Sequence, residues 1–580
     1  MPAKDQETPV LSMNLRIERD RALIVSARAR GRLATLGAYV RLSGPGWLQS
    51  AVTLGGGSLS SCMYLGVLVG FSFLWLQPVA MAAGIVMLSA IAYVTLSTGE
   101  RPLRAINKHV NPVLGWSWLL ASMVANLVWS MPQFALATAS FQQNLFPGVF
   151  GPEVMPDPWG KLAVCGIILA VALTAGMLYS IGGWGMRVFE VLVKCMVGVV
   201  VVCFVSVTIK LVTTGGLAAG EVFRGFIPDL RLLFEPVEAL AAQIAHVAPQ
   251  YQGYWEALIV SQQRDVMISA GATAVGINMT FLFPYSMLRK GWDRDFRGLA
   301  IFDLSTGLFF PFVLATSCVI VASAARFHAE PAPGFLGETD AQGRVIAPAP
   351  NLVGGFNALL EDRLAVQIGA EAFQQLSPEE KADRLGALPE ADRRLAAMLV
   401  TRDAFNLADS LTPLTGETVA RYVFGLGVLG MGMGAATMLM LINGLCFCEL
   451  LNRPARGWRQ RAGMLMVSVG ILGPFFWKSA QMWIAIPTSI FAMTLLPLAY
   501  LSFFLLMNQR RLMGEHLPRG GKRVLWNVVM AFAVLLAGFG SLWAIWSKAG
   551  WYGLAAVILF TVAVVVVHVA RKNPDTQEAP

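Results

Sequence analysis

The sequence predicts an all-α integral membrane protein with about twelve transmembrane helices. The 580 residues are 56% hydrophobic and only 14% charged, and their mean hydropathy is +0.60. Soluble domains carry roughly a quarter charged residues. Apolar windows of about 20 residues recur along the chain, and each is long enough to cross a hydrocarbon core of about 30 Å. These two observations place the protein in the bilayer.

The apolar windows define twelve predicted spans, numbered one to twelve along the chain. They lie near 44–70, 74–97, 112–144, 160–180, 187–213, 268–288, 298–325, 418–447, 462–479, 482–508, 523–546 and 551–570. Spans one and six contain interruptions, and the others are ordinary apolar helices. We therefore expect two broken helices among the twelve.

Basic residues alternate from loop to loop in a way that predicts the topology. Arginine-rich stretches precede span one and follow spans two, six, eight and ten, whereas the loops between them are nearly free of lysine and arginine. By the positive-inside rule, both termini then lie in the cytoplasm and the protein lies in the cell (inner) membrane. The net charge of +9 follows from this one-sided distribution, so we expect no nucleic-acid partner.

The spans divide the chain into five regions. They are a basic cytoplasmic segment (1–43), spans one to seven (44–326), an outer loop (327–415), spans eight to twelve (416–570) and a cytoplasmic tail (571–580). The outer loop holds thirteen acidic and seven basic residues, and Ser377-Pro-Glu-Glu380 within it has the sequence of a helical capping box. We expect this loop to form a small helical cap.

Enzymatic and cofactor chemistry have little support in the sequence. All seven cysteines lie in apolar segments and the five histidines are scattered, so neither a disulfide framework nor a metal-ligand cluster is expected. Nucleophiles and acid–base pairs do not converge in any motif. We predict a protein that is not an enzyme and has no cofactor.

Three consecutive glycines, Gly55 to Gly57, interrupt span one. Glycine exposes backbone, and unpaired backbone at membrane depth is tolerated only where it lines a cavity or is buried in protein. Many secondary transporters hold their substrate near the bilayer midplane with broken helices of this kind. The glycine run therefore favours a transporter.

Several short motifs, in consistent order and spacing, resemble the Nramp metal-transporter family within the amino acid–polyamine–organocation superfamily. They are Gly44-Pro-Gly-Trp-Leu-Gln-Ser50, Phe71-Ser-Phe-Leu-Trp75, Ser97-Thr-Gly99, Gly185-Met-Arg-Val-Phe-Glu190, Pro413-Leu-Thr-Gly416, Leu426-Gly-Val-Leu-Gly-Met-Gly432 and Asn508-Gln-Arg-Arg-Leu-Met-Gly514. The resemblance implies the LeuT-like fold: two inverted five-helix repeats with broken helices one and six, and a substrate site between the two breaks. It also implies alternating access and a divalent metal ion as substrate.

The residues at the implied site depart from the family pattern. The family's Asp-Pro-Gly-Asn in span one is replaced by Gly55-Gly-Gly-Ser58, so Gly55 stands for the metal-binding Asp and Ser58 for the Asn. In span six, Val275 stands for the methionine ligand and Ile277 for the histidine. A thioether favours transition metals, and the carboxylate supplies most of the charge. The usual transition-metal ligands are therefore absent.

The predicted substrate site combines both breaks. Its residues are Gly55, Gly56, Gly57 and Ser58 from span one, and Ala272, Val275, Gly276 and Asn278 from span six. We expect the glycines and Ala272 to supply backbone groups, Ser58 and Asn278 polar side chains, and Val275 a wall. The substrate is either a cation, by resemblance a divalent metal ion kept partly hydrated, or a small polar solute. We assign none of these residues as a metal ligand.

Four further residues are candidates for coupling or gating, each with a structural alternative. Gln49 faces the cavity or makes an interhelical hydrogen bond, and Gln133 is a polar group of span three. Glu190 is expected to pair with Lys194. Asp303 is expected to cap the start of span seven, with proton coupling as the alternative.

A non-transporting sensor or scaffold that kept the fold is the rival hypothesis. A transporter needs an aqueous path to Ser58 and Asn278, whereas a sensor can have this region packed shut by Val275 and Ile277. The partners expected are the lipid bilayer and the transported ion or solute, and the sequence indicates no oligomeric state.

Overall fold

The computed structural model describes residues 4–213, 219–340, 342–476 and 485–572. Two helices precede the first span, and spans one to five follow. Their helices are α1 (Lys4–Arg30), α2 (Arg32–Leu42), α3 (Pro45–Thr53), α4 (Gly56–Val69), α5 (Leu76–Thr98), α6 (Pro102–His109), α7 (Pro112–Ala139), α8 (Pro147–Phe150), α9 (Trp159–Ile181) and α10 (Gly183–Thr213). A π-helical turn, Ser140–Leu145, extends α7.

Spans six and seven and the outer region come next. Their helices are α11 (Ala219–Arg224), α12 (Glu238–Ile244), α13 (Pro249–Ala274), α14 (Ile277–Arg289), α15 (Arg297–Leu304), α16 (Phe310–Phe327), α17 (Pro350–Ile368), α18 (Ala370–Gln374), α19 (Pro378–Gly386), α20 (Glu390–Leu399) and α21 (Ala404–Thr415). A π-helical segment, Ser305–Phe309, joins α15 to α16. The remaining helices are α22 (Phe424–Leu450), α23 (Gly457–Met466), α24 (Gly473–Phe476), α25 (Ala485–Met507), α26 (Arg510–Met513) and α27 (Gly521–Lys572).

Nine helical segments of the described chain are long and apolar enough to cross a membrane, or ten if α3 and α4 count as one bent span. This count is lower than the twelve spans predicted from the sequence for two reasons. Helix α27 covers spans eleven and twelve together, and span nine consists of the short α23, α24 and a 3-10 segment between them. Its predicted end lies outside the described residues. The predicted breaks in spans one and six are confirmed.

Span six begins far earlier than the apolar window predicts. Helix α13 starts at Pro249, so residues 249–267, which precede the predicted start of span six, are helical. The first two turns of α13 are polar and aromatic, which hides them from a hydropathy window. These turns pack against the outer region. Because protein rather than lipid surrounds them, their sequence does not have to be continuously apolar.

Helix α27 consists of two antiparallel segments, each of which runs along the length of the bundle. Gly550 has φ 51° and ψ −135°, a conformation that glycine reaches readily, and it breaks the helix. Arg523 hydrogen-bonds to Asn508 and Arg571 to the Asn107 carbonyl, both in predicted basic loops. Lys548, near the break, lies 2.5 Å from Asp265. We call the end of the bundle with the basic loops the basic end, and the end that carries residues 328–415 the cap end.

The cap, residues 328–415, is helical and is fixed to span six by a buried ion pair. The capping box at Ser377 is formed. Arg363 and Asp392 are fully buried and lie 2.8 Å apart. Trp255 of α13 donates a hydrogen bond to the same carboxylate at 2.7 Å, and the Arg363 guanidinium lies 3.3 Å from the Tyr251 ring centroid. The cap therefore covers the start of α13.

A second arginine fixes the cap to the end of span seven. Arg402 donates hydrogen bonds to the carbonyl groups of Phe327 and Glu330. Burial lowers the pKa of Arg402 to about 10, which leaves it charged at neutral pH.

Spans one and six also contact each other near the cap. Tyr64 of α4 donates a hydrogen bond to Gln262 of α13 at 3.0 Å. The outer halves of spans one and six and the cap are thus joined by polar contacts.

Candidate functional site

The break in span one lies at Leu54 and Gly55. Helices α3 and α4 meet there at an angle of 54°, and Gly55 is extended with φ −124°. A Cβ on Gly55 would lie 2.8 Å from the Ala435 Cβ and 2.9 Å from the Gln133 Oε1. The glycine is therefore required by the close approach of α22 and α7, since its backbone angles suit any residue.

The break in span six lies at Val275 and Gly276, both extended. A Cβ on Gly276 would lie 2.4 Å from ring carbons of Trp129. The Trp129 indole donates a hydrogen bond to the Thr488 carbonyl at 3.2 Å, which fixes the ring. Helix α7 thus approaches both breaks, Gln133 at the first and Trp129 at the second.

Hydroxyl groups join the two breaks. The Thr53 hydroxyl donates to the carbonyl groups of Thr273 and Ala274 at the end of α13. The Ser58 hydroxyl donates in turn to the Thr53 carbonyl. Helix ends leave carbonyl groups without helical partners, and these hydroxyls satisfy three of them. The end of α3 and the end of α13 are therefore held together.

A small cavity lies between the breaks. Its volume is about 20 Å³, room for about one water molecule. Its lining residues are Val52, Thr53, Gly55, Gly57, Ser58, Trp129, Gln133, Thr273, Gly276, Met279, Ala435, Leu439 and Ser489. No carboxylate or basic side chain is among these described residues. The cavity offers hydroxyls, one amide, one thioether and an indole face.

Gln133 is the central polar side chain of the site. Its Oε1 accepts a hydrogen bond from the Gly56 N–H at 2.7 Å, at the first turn of α4. It is 4% exposed. The amide therefore stabilises the glycine break, and it presents the only side-chain amide of the described cavity lining.

Met279 lines the cavity, and the sequence analysis missed it. Its sulfur accepts a hydrogen bond from the Gly276 N–H at 3.3 Å. Val275, which aligns with the family's methionine, is absent from the described lining and packs on α5, where a Cβ on Gly84 would lie 2.2 Å from its Cγ2. Val275 and Gly276 are extended and α14 begins only at Ile277, so helical spacing does not relate Val275 to Met279, and no local sequence signal marks Met279 as a lining residue.

Asn278 lies beside the cavity rather than in its described lining. Its Nδ2 donates to the Asn126 Oδ1 at 3.2 Å and its Oδ1 accepts from the Met279 N–H at 2.9 Å. Ala272 is buried and also outside that lining. Gln49 is fully buried, and neither of its amide atoms has a hydrogen-bond partner in the described chain. The breaks thus bring together Gly55, Gly57, Ser58 and Gly276, with Gly56 bonded to Gln133.

Glu190 and Asp303 lie at the basic end, and both structural expectations for them need correction. Glu190 forms its ion pair with Lys290 at 2.8 Å, while Lys194 donates to the Ser43 carbonyl at 2.6 Å. Asp303 lies in the last turn of α15, not at its start, and caps α3 instead. Both residues therefore act on the first span.

A model of the family described as natural resistance-associated macrophage protein-like matches residues 46–343 and 395–543, well over half of the chain. The chain belongs to the Nramp family. Residues 344–394, which contain most of the cap, lie outside this match.

Individual relatives are distant. A metal transporter of Populus trichocarpa, Nramp6.2, is 25% identical over 221 residues, which cover 38% of this chain and 37% of that relative. A mutant of the Eremococcus coleocola manganese transporter is 15% identical, with 92% and 93% coverage and a TM-score of 0.49. MhsT in complex with L-phenylalanine is 12% identical, with 86% and 98% coverage and a TM-score of 0.44.

The described chain holds no group of three or more His, Cys, Asp and Glu residues placed to bind a metal ion. This Nramp-family chain also has glycine and serine where the family pattern has Asp and Asn. The oxygen atoms at the breaks accept hydrogen bonds from Thr53 and Ser58. The site is therefore polar and uncharged.

Proposed function

We propose that this Nramp-family protein is a secondary transporter that moves its substrate through the cavity between the breaks of spans one and six. The observation that carries this proposal is the meeting of both breaks around one polar cavity. Broken helices direct backbone dipoles at a substrate near the midplane. The basic end is the cytoplasmic end by the positive-inside rule, and the membrane is the cell (inner) membrane.

The substrate we propose is a cation that keeps part of its hydration shell or a small polar solute. By family membership, the first choice for a cation is a divalent metal ion. A dehydrated divalent ion is disfavoured because the described lining offers no carboxylate, and the loss of its hydration is costly without charged ligands. Gln133, Ser58 and the break carbonyl groups can each hydrogen-bond to a retained water or to a polar solute.

Transport by alternating access requires this closed site to open at each end in turn. Ser58 and Asn278 are 1% and 0% exposed, so the described conformation is occluded. The basic end is closed by the contacts of Asp303 and Lys194 with the start of α3, and the cap end by those of the cap with α13. Spans one and six are the elements we expect to move.

Uptake into proteoliposomes tests the proposal. The purified full chain is assayed with manganese, magnesium and neutral solutes, each with and without a proton gradient. Saturable uptake of one substrate supports transport. Saturable manganese uptake that survives both Ser58→Ala and Asn278→Ala would overturn the assignment of this site, and absence of flux across the whole panel would overturn the transport function.

Replacing Gln133 by leucine is expected to reduce uptake at least tenfold. The change leaves the Gly56 N–H buried without its acceptor, which costs about 1–3 kcal/mol, and removes the one side-chain amide of the described lining. The matched control is Gln143→Leu, at an exposed position ten residues later in the chain, which should leave uptake unchanged. Equal uptake by the two variants would contradict a role for Gln133 in the site.

The second candidate function is a membrane sensor or scaffold that does not transport. The small volume of the cavity and the complete burial of Ile277 favour this candidate. A sensor should bind its ligand without flux, so saturable binding to protein in detergent together with no uptake by proteoliposomes would support it.

A further inference from the structure

The start of α3 is bound by a buried carboxylate that forms no ion pair with any residue the structure describes. Asp303 is fully buried. It accepts hydrogen bonds from the Gly46 N–H at 2.6 Å, the Gly44 N–H at 3.1 Å and the Ser43 hydroxyl. The other fully buried carboxylate of the described chain, Asp392, is paired with Arg363. Asp303 binds only neutral donors in the part of the chain that the structure describes.

Charged side chains from two other elements surround the same turn. Lys194 of α10 donates to the Ser43 carbonyl at 2.6 Å. Lys290, just after α14, pairs with Glu190 of α10. A Cβ on Gly44 would lie 2.4 Å from the Lys290 Nζ, so this pair packs directly on the chain leading into α3. Residues 43–46 are therefore held from three sides.

Two lysines of the described chain, Lys194 and Lys290, act electrostatically on Asp303. Helices α2 and α5 also pack on α15, and the side chains they bring there, Tyr39 against Phe302 and Ser97 against Arg297, are uncharged. Arg28 of α1 reaches the start of α15, the end away from Asp303, where it donates hydrogen bonds to Tyr39 and to the Asp295 carbonyl. The N-terminus of α3 adds the positive end of a helix dipole. The donors of this turn therefore stabilise the ionised Asp303 carboxylate, and the carboxylate in turn stabilises the conformation of the turn.

We propose that Asp303 is a proton-binding site whose protonation releases α3 and opens the path from the basic end to the cavity. This proposal rests on the proposed transport function. One proton from the solvent at the basic end binds a carboxylate oxygen and removes the negative charge. The neutral carboxyl accepts hydrogen bonds more weakly and no longer attracts the helix dipole or the lysines. Segment 43–46 then separates from α15.

This location suits proton coupling in this chain because the described cavity lining contains no carboxylate. Ionisable residues inside membrane segments serve as proton relays in many transporters. Segment 43–46 leads directly into α3, whose last turn carries the cavity residues Val52 and Thr53. A proton bound at Asp303 can therefore act on the substrate site through one short helix.

The test measures the accessibility of a cysteine placed at Val52, a buried cavity residue of α3. A membrane-impermeant thiol reagent is applied to the full-length Val52→Cys protein in detergent from pH 8 to pH 5, and labelling of the parent protein is subtracted. Rates are divided by those of Leu33→Cys, at an 85% exposed position on α2, which removes the pH dependence of thiol chemistry. We expect the corrected rate to rise about tenfold or more as pH falls.

Asp303→Asn should give the fast, low-pH rate at every pH. Asp295→Asn, which removes a partly exposed carboxylate at the same end, is the matched control and should keep the wild-type pH response. Ser43→Ala removes one donor to the carboxylate and should move the midpoint to higher pH, which provides a second test if Asp303→Asn does not fold. A corrected Val52→Cys rate that is independent of pH, or a wild-type pH response when Asp303→Asn is added to Val52→Cys, would overturn the proposal.

Uptake measured on the same preparations separates this proposal from the proposed function. Uptake without pH-dependent labelling overturns the role of Asp303 and leaves transport standing. A pH-dependent movement of α3 without uptake of any substrate supports the role of Asp303 and overturns transport.

Discussion

Replacing Arg363 by methionine is expected to lower the free energy that holds the cap against α13 by about 3–5 kcal/mol. The change leaves the fully buried Asp392 carboxylate without its cation, and removal of one partner of a buried pair has this magnitude. It also removes the guanidinium that covers the Tyr251 ring. Hydrogen exchange of α17 and α20, which reports local opening free energies, is the measurement.

The chain offers a matched control for this substitution. Arg344 and Asp340 also lie in the cap and form a pair at 2.8 Å, but the Arg344 side chain is 77% exposed. Exposed pairs contribute little because water screens their attraction, so Arg344→Met should change exchange little. The double variant Arg363→Met/Asp392→Leu should recover part of the loss because no unpaired charge remains. Similar exchange in Arg363→Met and Arg344→Met would contradict the importance of the buried pair.

Replacing Gly276 by alanine is expected to destabilise the protein by about 1–3 kcal/mol, the usual cost of overpacking, and to abolish uptake. The backbone angles, φ −83° and ψ 160°, suit alanine, so the effect is steric. The new Cβ would lie 2.4 Å from Trp129 and 2.6 Å from the Asn278 Oδ1. The Trp129 ring, which lines the cavity, has to shift. Thermal unfolding in detergent and proteoliposome uptake measure the two effects.

Gly271→Ala is the control in the same helix. A Cβ there has no atom within 4 Å among the described residues, and alanine favours a helix over glycine by up to about 1 kcal/mol. This variant should be as stable as the parent or more stable, with normal uptake. If Gly276→Ala behaves in the same way, the close contact between Trp129 and the break is not required.

The helical class and the two breaks could be predicted because each depends on local sequence. Apolar windows report lipid-facing helices, and the glycine run at Gly55 marks a site where two helices approach the backbone. The start of α13 could not be predicted in this way. Its first turns carry Tyr251 and Trp255, whose contacts lie in the cap more than 100 residues later.

The backbone segments that surround the cavity could be predicted better than the side chains that line it. Gly55, Ser58 and Gly276, chosen from the family pattern, line the cavity, and their role in substrate binding stays a prediction. Met279 was missed because the family pattern places the sulfur at Val275, whereas the extended break directs the Val275 side chain to α5 and α14 begins only at Ile277. Asp303 was assigned to the wrong helix because a cap and its helix can be 257 residues apart in sequence, a distance that no local motif reports.

The size of the cavity has a consequence for any ion that passes through it. A shell of six water molecules occupies about 180 Å³ at roughly 30 Å³ per molecule, whereas the site has room for about one. An ion that arrives with its shell must therefore leave most of it behind or force the surrounding helices apart. With Thr53 and Ser58 already bonded to break carbonyl groups, few oxygen atoms stand ready to replace the lost water. In the proposed transport cycle, loading would require the hydroxyl bridge between the two breaks to separate, and the strength of that bridge would favour weakly hydrated substrates.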